Sequence, residues 1–192
     1  MDKPYRFLKL NAKITPWKEL LPDLNNVKPI LDWNATLLSK ETRKVFKDIG
    51  LEPAVGVLWV HNKGVTGDKH YVAGDPSSPL RPYVSINILL EGSSSIIEWV
   101  DFSKSKFLRN SYNIDGTIAW REYTSKDVDY SAVLQADTPV LYRIDVPHRV
   151  KLETIEKPSW AYSIRFIHAD STIPLSWDDA LVKFKSIILE KK

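Results

Sequence analysis

The middle of the chain alternates between apolar and polar residues in short segments that turn-forming residues separate. The segments are rich in Val, Ile, Tyr and Trp, which β-strands favour. They predict strands at residues 54–61, 83–90, 95–100, 117–123, 139–146 and 160–168. Glu91-Gly92 lies between two apolar segments and predicts a hairpin turn. Short strands at roughly even spacing indicate a sandwich, a barrel or a jelly roll.

The flanking regions carry a helical pattern instead. Ser39 can cap a helix whose apolar residues share one face, and Gly50 then ends it. A second cap at Ser176 precedes an apolar stripe that predicts a closing helix. We therefore expect one domain, with a mixed entry at residues 1–52, β-structure at 53–168 and the closing helix at 171–192.

The longest segment without a strand pattern spans residues 62–82. A loop of that length is uncommon in a compact domain and often forms a lid or a rim. The segment is therefore a candidate part of a functional site.

The composition is that of a globular domain. With 192 residues and 43% hydrophobic content, the chain is long enough to bury a substantial core. It has no Cys, which excludes disulfides and thiolate metal sites and suits a reducing compartment. No apolar segment reaches the roughly 18 residues of a membrane span, and the N-terminus lacks the apolar centre of a signal peptide. We expect a soluble cytoplasmic protein without a membrane partner.

The charge pattern also argues against a nucleic-acid partner. The net charge is only +3, and Lys and Arg are spread along the chain rather than clustered. The seven Trp and eight Tyr predict a core built on large aromatic side chains. The alternative is an aromatic surface for a ligand or a partner protein.

The histidines suggest metal chemistry. A non-haem Fe(II) site uses two His and one carboxylate. His148 directly follows a predicted strand and is the best ligand candidate, and the alternative is an imidazole bonded to the backbone at a strand end. His61 and His70 have no carboxylate two residues later. Asp75 follows His70 at a distance that only a turn can close, and Asp68 precedes it.

The fourth histidine has the expected spacing in the wrong place. His168-Ala169-Asp170 is a His-x-Asp sequence, but it comes after His148. We interpret it as a strand exit with a solvated acid. The sequence therefore leaves the carboxylate ligand undecided.

An arginine on the last predicted strand suits an acidic cosubstrate. The guanidinium of Arg165 can bind a carboxylate through two parallel hydrogen bonds. A paired structural or surface role is the alternative. Arg143 and Arg149 flank His148 and are further candidates, although Arg143 shares a strand face with Asp145 and can pair with it.

Four segments carry a family resemblance: residues 83–92, Ile97-Glu98-Trp99, residues 139–150 and Ser163-Ile164-Arg165-Phe166. Together they resemble small double-stranded β-helix proteins of phages and bacteria, which are similar to 2-oxoglutarate/Fe(II) oxygenases and aspartyl/asparaginyl β-hydroxylases. The resemblance covers roughly residues 35–168. It implies a mainly β fold with flanking helices, namely a double-stranded β-helix (jelly-roll, cupin-like) barrel.

The resemblance also implies a ligand set. His148 corresponds to the distal metal-binding histidine, and His70, or less well His61, to the first one. Asp75 or Asp68 would then supply the acid, and Arg165 would bind 2-oxoglutarate. The family's His-x-Asp acid is not at its usual place, and its cosubstrate arginine is often found where this chain has Pro158-Ser159-Trp160.

Two functions follow as expectations. The first is a hydroxylase that uses Fe(II) and 2-oxoglutarate on a protein or small-molecule substrate. The second is a cupin-like module that has kept the barrel without the chemistry and binds a ligand or a partner protein. If the chain is encoded by a phage, that partner belongs to a phage particle or a phage–host complex, and the cytoplasm is that of the host.

Overall fold

The computed structural model describes residues 2–12, 14, 30–61, 70–74, 84–90, 94–112, 116, 118–136, 138–151, 159–171 and 173–189. These residues form two antiparallel β-sheets and two α-helices, so the fold is mainly β. The described strands, numbered along the chain, are β1 Tyr5–Phe7, β2 Ile30–Trp33, β3 Leu51–His61, β4 Tyr71–Ala73, β5 Val84–Leu90, β6 Ser94–Trp99, β7 Lys106–Tyr112, β8 Ile118–Thr124, β9 Tyr130–Gln135, β10 Val140–Arg143, β11 His148–Lys151 and β12 Ser159–His168.

The described strands divide into two sheets of six. Sheet one has the order β1-β10-β5-β12-β3-β2, and sheet two has the order β7-β8-β4-β11-β6-β9. In sheet one, β12 lies between β3 and β5 and pairs with both along most of its length. Its alternating sequence allows this placement, because one side faces an apolar core and the other a polar region.

One face of sheet one packs against the helices. The helices are α1 Lys40–Asp48 and α2 Trp177–Lys183, and a short 3-10 helix, Lys185–Ile187, follows α2. Phe46, Phe166 and Phe184 pack edge to face in this helix-side core, with ring centroids 4.7 to 6.2 Å apart. The aromatic core that the composition predicts is confirmed here.

The caps that the sequence predicts are present. The Ser39 hydroxyl accepts a hydrogen bond from the Thr42 backbone N–H, and Ser176 accepts one from that of Asp179. Gly50 follows α1 with a φ of +70°, a left-handed conformation that favours glycine. The closing helix is shorter than predicted, because its α-helical part ends at Lys183.

The other face of sheet one packs against sheet two and forms an inter-sheet core. Tyr5 stacks on Trp99 with ring centroids 5.1 Å apart, and the Tyr5 hydroxyl donates to the carbonyl of Ser131. Tyr5 lies in β1 and Trp99 in β6, so this contact joins the two sheets.

The predicted hairpin turn at Glu91-Gly92 lies outside the described residues. The strands on its two sides, β5 and β6, lie in different sheets and do not pair with each other. The connection therefore leads from one sheet to the other. Local turn chemistry alone does not distinguish a hairpin from such a crossing.

Other predicted boundaries also change. The segment predicted to be irregular, 62–82, contains β4, which pairs with β8 and β11. The strand predicted at 139–146 ends at Arg143, and the chain bends before β11 begins in the other sheet. Strands β7 and β9 were not predicted. β7 is a largely exposed sheet edge without an apolar face.

Among the described residues, no strand pairing closes the two sheets into a barrel. The outermost strands are β1 and β2 in sheet one and β7 and β9 in sheet two. An isolated parallel bridge joins Leu89 to Ala136. The double-stranded β-helix topology stays a prediction.

Candidate functional site

A cavity of about 380 Å³ lies between the two sheets. Sheet one and the residue after β10 contribute the side chains of Trp59, Ser85, Asn87, Leu89, Tyr142, Ile144, Ala161, Ser163 and Arg165. Sheet two and the residue before β4 contribute those of His70, Val72, Ser95, Arg109, Trp120, Glu122, His148 and Val150. The volume lies near the lower end of the range for small-molecule pockets.

The alternation of a β-strand explains why polar residues reach the cavity from strands that look apolar. Ser85, Asn87 and Leu89 are every second residue of β5, so they point to the cavity side. Their neighbours Ile86 and Ile88 pack in the helix-side core. β5 is therefore buried on both faces, with a polar patch on one of them.

The structure brings His70 and His148 to the same cavity. His148 is the first residue of β11 and lies opposite Val72 of β4. His70 precedes Val72 by two residues, and both line the cavity together with His148. The two histidines thus share a wall, although many residues separate them in sequence.

The position of His148 is compatible with both interpretations that the sequence left open, namely a metal ligand and an imidazole bonded to the backbone at a strand end. It is 7% exposed, and its Nδ1 lies 2.9 Å from the carbonyl oxygen of Val146. Because a carbonyl only accepts, Nδ1 carries the proton, and the lone pair of the neutral ring is on Nε2. A hydrogen bond from Nδ1 to a backbone carbonyl also orients many metal-binding histidines.

His70 has a buried ring nitrogen. Its Nδ1 has no hydrogen-bond partner among the described residues. The two predicted acids, Asp75 and Asp68, lie outside the described residues. Nowhere in the described part of the chain do three His, Asp or Glu side chains come together as a metal site would need. The predicted third ligand therefore stays a prediction.

Arg165 extends across the cavity. Its guanidinium lies over the ring of Trp120, 5.3 Å from the centroid, and Trp120 belongs to sheet two. The pairing of β12 with β3 shifts by a β-bulge directly after Arg165, where Pro53 is the partner of Phe166. Bulges re-aim neighbouring side chains, so the shift contributes to the direction of Arg165.

The charges on the described cavity wall do not cancel. Arg109 and Glu122 form an ion pair with Nε and Oε2 2.8 Å apart. Arg165 adds a second positive charge to the wall. These three side chains give the described part of the wall a net charge of about +1. The described part of the wall is therefore suited to an anion.

A polar cluster forms the cavity wall on sheet one. The Ser85 and Ser163 hydroxyl oxygens are 2.7 Å apart, and Ser85 donates to the carbonyl of Ile164 at 3.0 Å. The Tyr142 side chain is buried beside this cluster. Burial raises the pKa of Tyr142 above 10.0, although the polar side chains of Ser163, Ser85 and Asn87 and the charge of Arg165 oppose the shift.

Asn87 completes this polar cluster. It is 7% exposed, and its Oδ1 has no hydrogen-bond partner among the described residues. The residue lies opposite Ser163 in the sheet and lines the cavity.

The remaining sequence candidates lie elsewhere. Arg143 forms the predicted ion pair with Asp145 at 2.6 Å, and Arg149 pairs with Glu98 at 2.6 Å. Neither arginine is among the described residues that line the cavity. β12 ends at His168, and Asp170 is exposed, as a strand exit requires. The side chain of His61 lies outside the described residues.

Sequence reasoning missed Asn87, Ser85, Ser163 and Tyr142. The available signal was a pair of small polar residues at alternate positions within an apolar strand, Ser85-x-Asn87, and a similar pair, Ser163-x-Arg165. Both pairs lie on buried strand faces. Buried polar residues at a period of two indicate a polar interior site.

Comparison with known proteins does not assign the chain. No protein-family model and no curated protein matches it. Neither helix of the described part has the length and apolar character that crossing a membrane requires.

Proposed function

We propose that this protein binds a small organic acid in the cavity between its two sheets and acts as a ligand-binding domain without catalysis. The observation that carries this proposal is a pair of buried polar atoms, His70 Nδ1 and Asn87 Oδ1, in two residues that line the cavity. Neither has a hydrogen-bond partner among the described residues. Because nearly all buried polar atoms have a partner, a bound molecule that supplies the missing bonds explains both.

The charge and the size of the cavity support an acid. Arg165 brings a guanidinium to the wall, and the described lining is net positive. A guanidinium binds carboxylates with well-defined geometry. A volume of about 380 Å³ suits a ligand of metabolite size rather than a polymer.

The order of the strands supports a double-stranded β-helix of the jelly-roll, cupin-like type. Between β3 and β6 the chain passes from one sheet to the other at every step, and it does so again from β9 to β12. Such alternation is expected of a jelly roll, in which successive strands belong to opposite sheets. In this topology the space between the sheets is the natural ligand site.

A titration with short dicarboxylic acids tests the proposal. In calorimetry with glutarate, 2-hydroxyglutarate and 2-oxoglutarate, we expect at least one acid to bind, and Arg165→Gln to weaken that binding by about tenfold or more. The exposed Lys126 provides the control, since Lys126→Gln removes a positive charge at a residue that is not among the described cavity residues. If none of the acids binds, or both variants bind as the wild type does, the proposal is wrong.

The second candidate is the Fe(II)- and 2-oxoglutarate-dependent hydroxylase. The observation that favours it is that His70, His148 and Arg165 all line one cavity. The described residues fit only part of the ligand set, since they provide two imidazoles and no group of three ligands. Non-haem Fe(II) would supply oxygen activation when bound, and His70 and His148 would hold it.

Metal analysis distinguishes the two candidates. The hydroxylase predicts one equivalent of Fe(II) bound under anaerobic conditions, a charge-transfer band on addition of 2-oxoglutarate, and succinate once oxygen is admitted. His148→Ala should abolish all three, whereas His168→Ala, outside the cavity lining, should not. If an acid binds but no Fe(II) is taken up and no succinate forms, the hydroxylase is excluded and only the ligand-binding proposal remains.

A further inference from the structure

The sheet-one wall of the cavity changes character along its strands. Strand pairing places Tyr142, Ser85 and Arg165 side by side in one row across β10, β5 and β12. Two residues further along these strands, Asn87 of β5 lies opposite Ser163 of β12. All five residues line the cavity, so this end of the wall is polar and carries the guanidinium.

The next row on the same wall is hydrophobic. Leu89, Ala161 and Trp59 lie side by side across β5, β12 and β3, and all three line the cavity. Leu89 and Ala161 belong to the inter-sheet core, and Trp59 and Val150 of sheet two pack against it. Because a strand advances about 3.3 Å per residue, this hydrophobic row lies about 13 Å from the row that contains Arg165.

The charged side chains of the opposite wall lie at the polar end. Glu122, with its arginine partner, lies in one row of sheet two with His148. The His148 ring meets that of Tyr142 in the polar row, with centroids 5.8 Å apart. The Arg165 guanidinium lies over Trp120, two residues from Glu122 in β8. The charges of the described lining are therefore grouped at the polar end, and none lies in the hydrophobic row.

We infer that the acid bound beside Arg165 carries an apolar body, and that the hydrophobic row is the subsite that receives it. The chemical class is a monocarboxylic acid with a hydrocarbon tail. An alkyl group gains free energy by leaving water there. A second carboxylate would lose its hydration without a charged partner among the described residues, which is costly. This inference rests on the proposed binding of an acid by Arg165.

Two acids of similar size test the inference on the unaltered protein. Glutarate and 5-methylhexanoate differ only at the far end, where an isopropyl group replaces the second carboxylate. In calorimetry we expect both to bind, and 5-methylhexanoate to bind at least about tenfold more tightly. From butanoate to hexanoate the affinity should rise about three- to fourfold per methylene group, since each methylene leaves water.

Three variants locate the tail. Trp59→Lys brings an ammonium group to the hydrophobic row at a half-buried position, and we expect it to reverse the preference in favour of glutarate. Val133→Lys is the matched control, because Val133 is 56% exposed and is not among the described cavity residues. It should leave the ratio of the two affinities within about twofold of the wild-type ratio. Arg165→Gln should weaken both acids by a similar factor, since both present a carboxylate to it.

The outcomes separate the inference from the proposed function. If glutarate binds as tightly as 5-methylhexanoate or more tightly, and Arg165→Gln weakens both, the inference is overturned and the proposed function stands. A preference for 5-methylhexanoate that Trp59→Lys leaves unchanged also overturns the inference, because the tail then lies elsewhere. The wild-type comparison decides the question even if Trp59→Lys does not fold. If neither acid binds, both the proposed function and the inference fail.

Discussion

Tyr142 is the residue on which the polar cluster depends. Its hydroxyl interacts with the polar side chains of Ser85, Ser163 and Asn87, and its ring meets His148 of the opposite sheet edge to face, with centroids 5.8 Å apart. The side chain is almost fully buried, so bulk water does not replace a lost partner. Interactions in such a network are mutually dependent.

Tyr142→Phe therefore tests the network. The substitution keeps the ring and removes the polar interactions of the hydroxyl with this cluster, which we expect to lower the free energy of unfolding by about 1–3 kcal/mol. Tyr112→Phe, at a tyrosine that is 60% exposed, should change it by less than about 0.5 kcal/mol. Urea denaturation at neutral pH measures both, and equal effects would contradict the role of the network.

The same variant should change the alkaline pH dependence. Burial raises the pKa of Tyr142 above 10.0, so near that pH the unfolded chain loses the proton first. The folded state then binds more protons, and stability falls as the pH rises from about 10 through the folded pKa. This contribution is at most about 1.4 kcal/mol per pH unit, and Tyr142→Phe should remove it. If the free energy of unfolding falls equally steeply between pH 9 and 11 in the wild type and in Tyr142→Phe, the predicted contribution of Tyr142 is wrong.

At the scale of elements, the helix ends follow local rules. Ser176 caps α2 through a hydrogen bond of 3.1 Å from the Asp179 backbone N–H. The Nζ of Lys183, at the end of this helix, donates to the carbonyl of Ile49 after α1. The two helices are thereby fixed to each other beside sheet one.

Ser176→Ala should lower the free energy of unfolding by about 1 kcal/mol, because it leaves the first turn of α2 without its cap. Ser186→Ala is the matched control, since Ser186 is exposed in the 3-10 helix that follows. We expect that change to remain within about 0.5 kcal/mol. If the two alanine variants unfold at the same urea concentration, Ser176 does not stabilise α2 as its geometry implies.

A second element-scale prediction concerns the close approach of β3 and β12. A Cβ added to Gly56 would clash with the hydroxyl end of the ring of Tyr162, which is fully buried. Gly56→Ala should therefore cost about 1–3 kcal/mol of stability through overpacking. In the double variant Gly56→Ala/Tyr162→Leu the two effects should be less than additive, because the clash is relieved. Additive costs in urea denaturation would show that the chain avoids the clash in another way.

The elements differ in how far sequence predicts them. β12 was predictable because Tyr162, Ile164 and Phe166 alternate with more polar residues, and the sheet buries one side in an apolar core. β7 was not, because an exposed edge strand is held by backbone pairing with β8 and needs no apolar pattern. The caps at Ser39 and Ser176 were predictable, because they need only neighbouring residues.

At the scale of the molecule, the candidate site depends on how the sheets face each other. The family resemblance predicted one site that contains His70, His148 and Arg165, and all three line one cavity. Asn87 and Tyr142 were not found from the sequence, since their place in the polar cluster depends on cross-strand pairing: Asn87 lies opposite Ser163 of β12, and Tyr142 lies opposite Ser85 of β5. Register between distant strands is set by packing, which one sequence does not reveal.

The space between the sheets is divided into a packed core and the cavity, and two alanines distinguish these parts. Both alanines are buried in the inter-sheet core, but Ala161 also lines the cavity, whereas Ala132 is not among the described cavity residues. Substitution by leucine replaces a methyl side chain with an isobutyl side chain at both positions. The two variants therefore differ mainly in the space around the new side chain.

Ala161→Leu should fold with nearly unchanged stability and lose acid binding, because the larger side chain occupies part of the 380 Å³ that a ligand would fill. Ala132→Leu should instead lower the free energy of unfolding by about 1–3 kcal/mol, since packed interiors resist added volume. Urea denaturation and calorimetry with 2-hydroxyglutarate measure the two effects. If Ala161→Leu destabilises the protein as much as Ala132→Leu, the inter-sheet space is already filled by protein atoms, and no ligand site exists there.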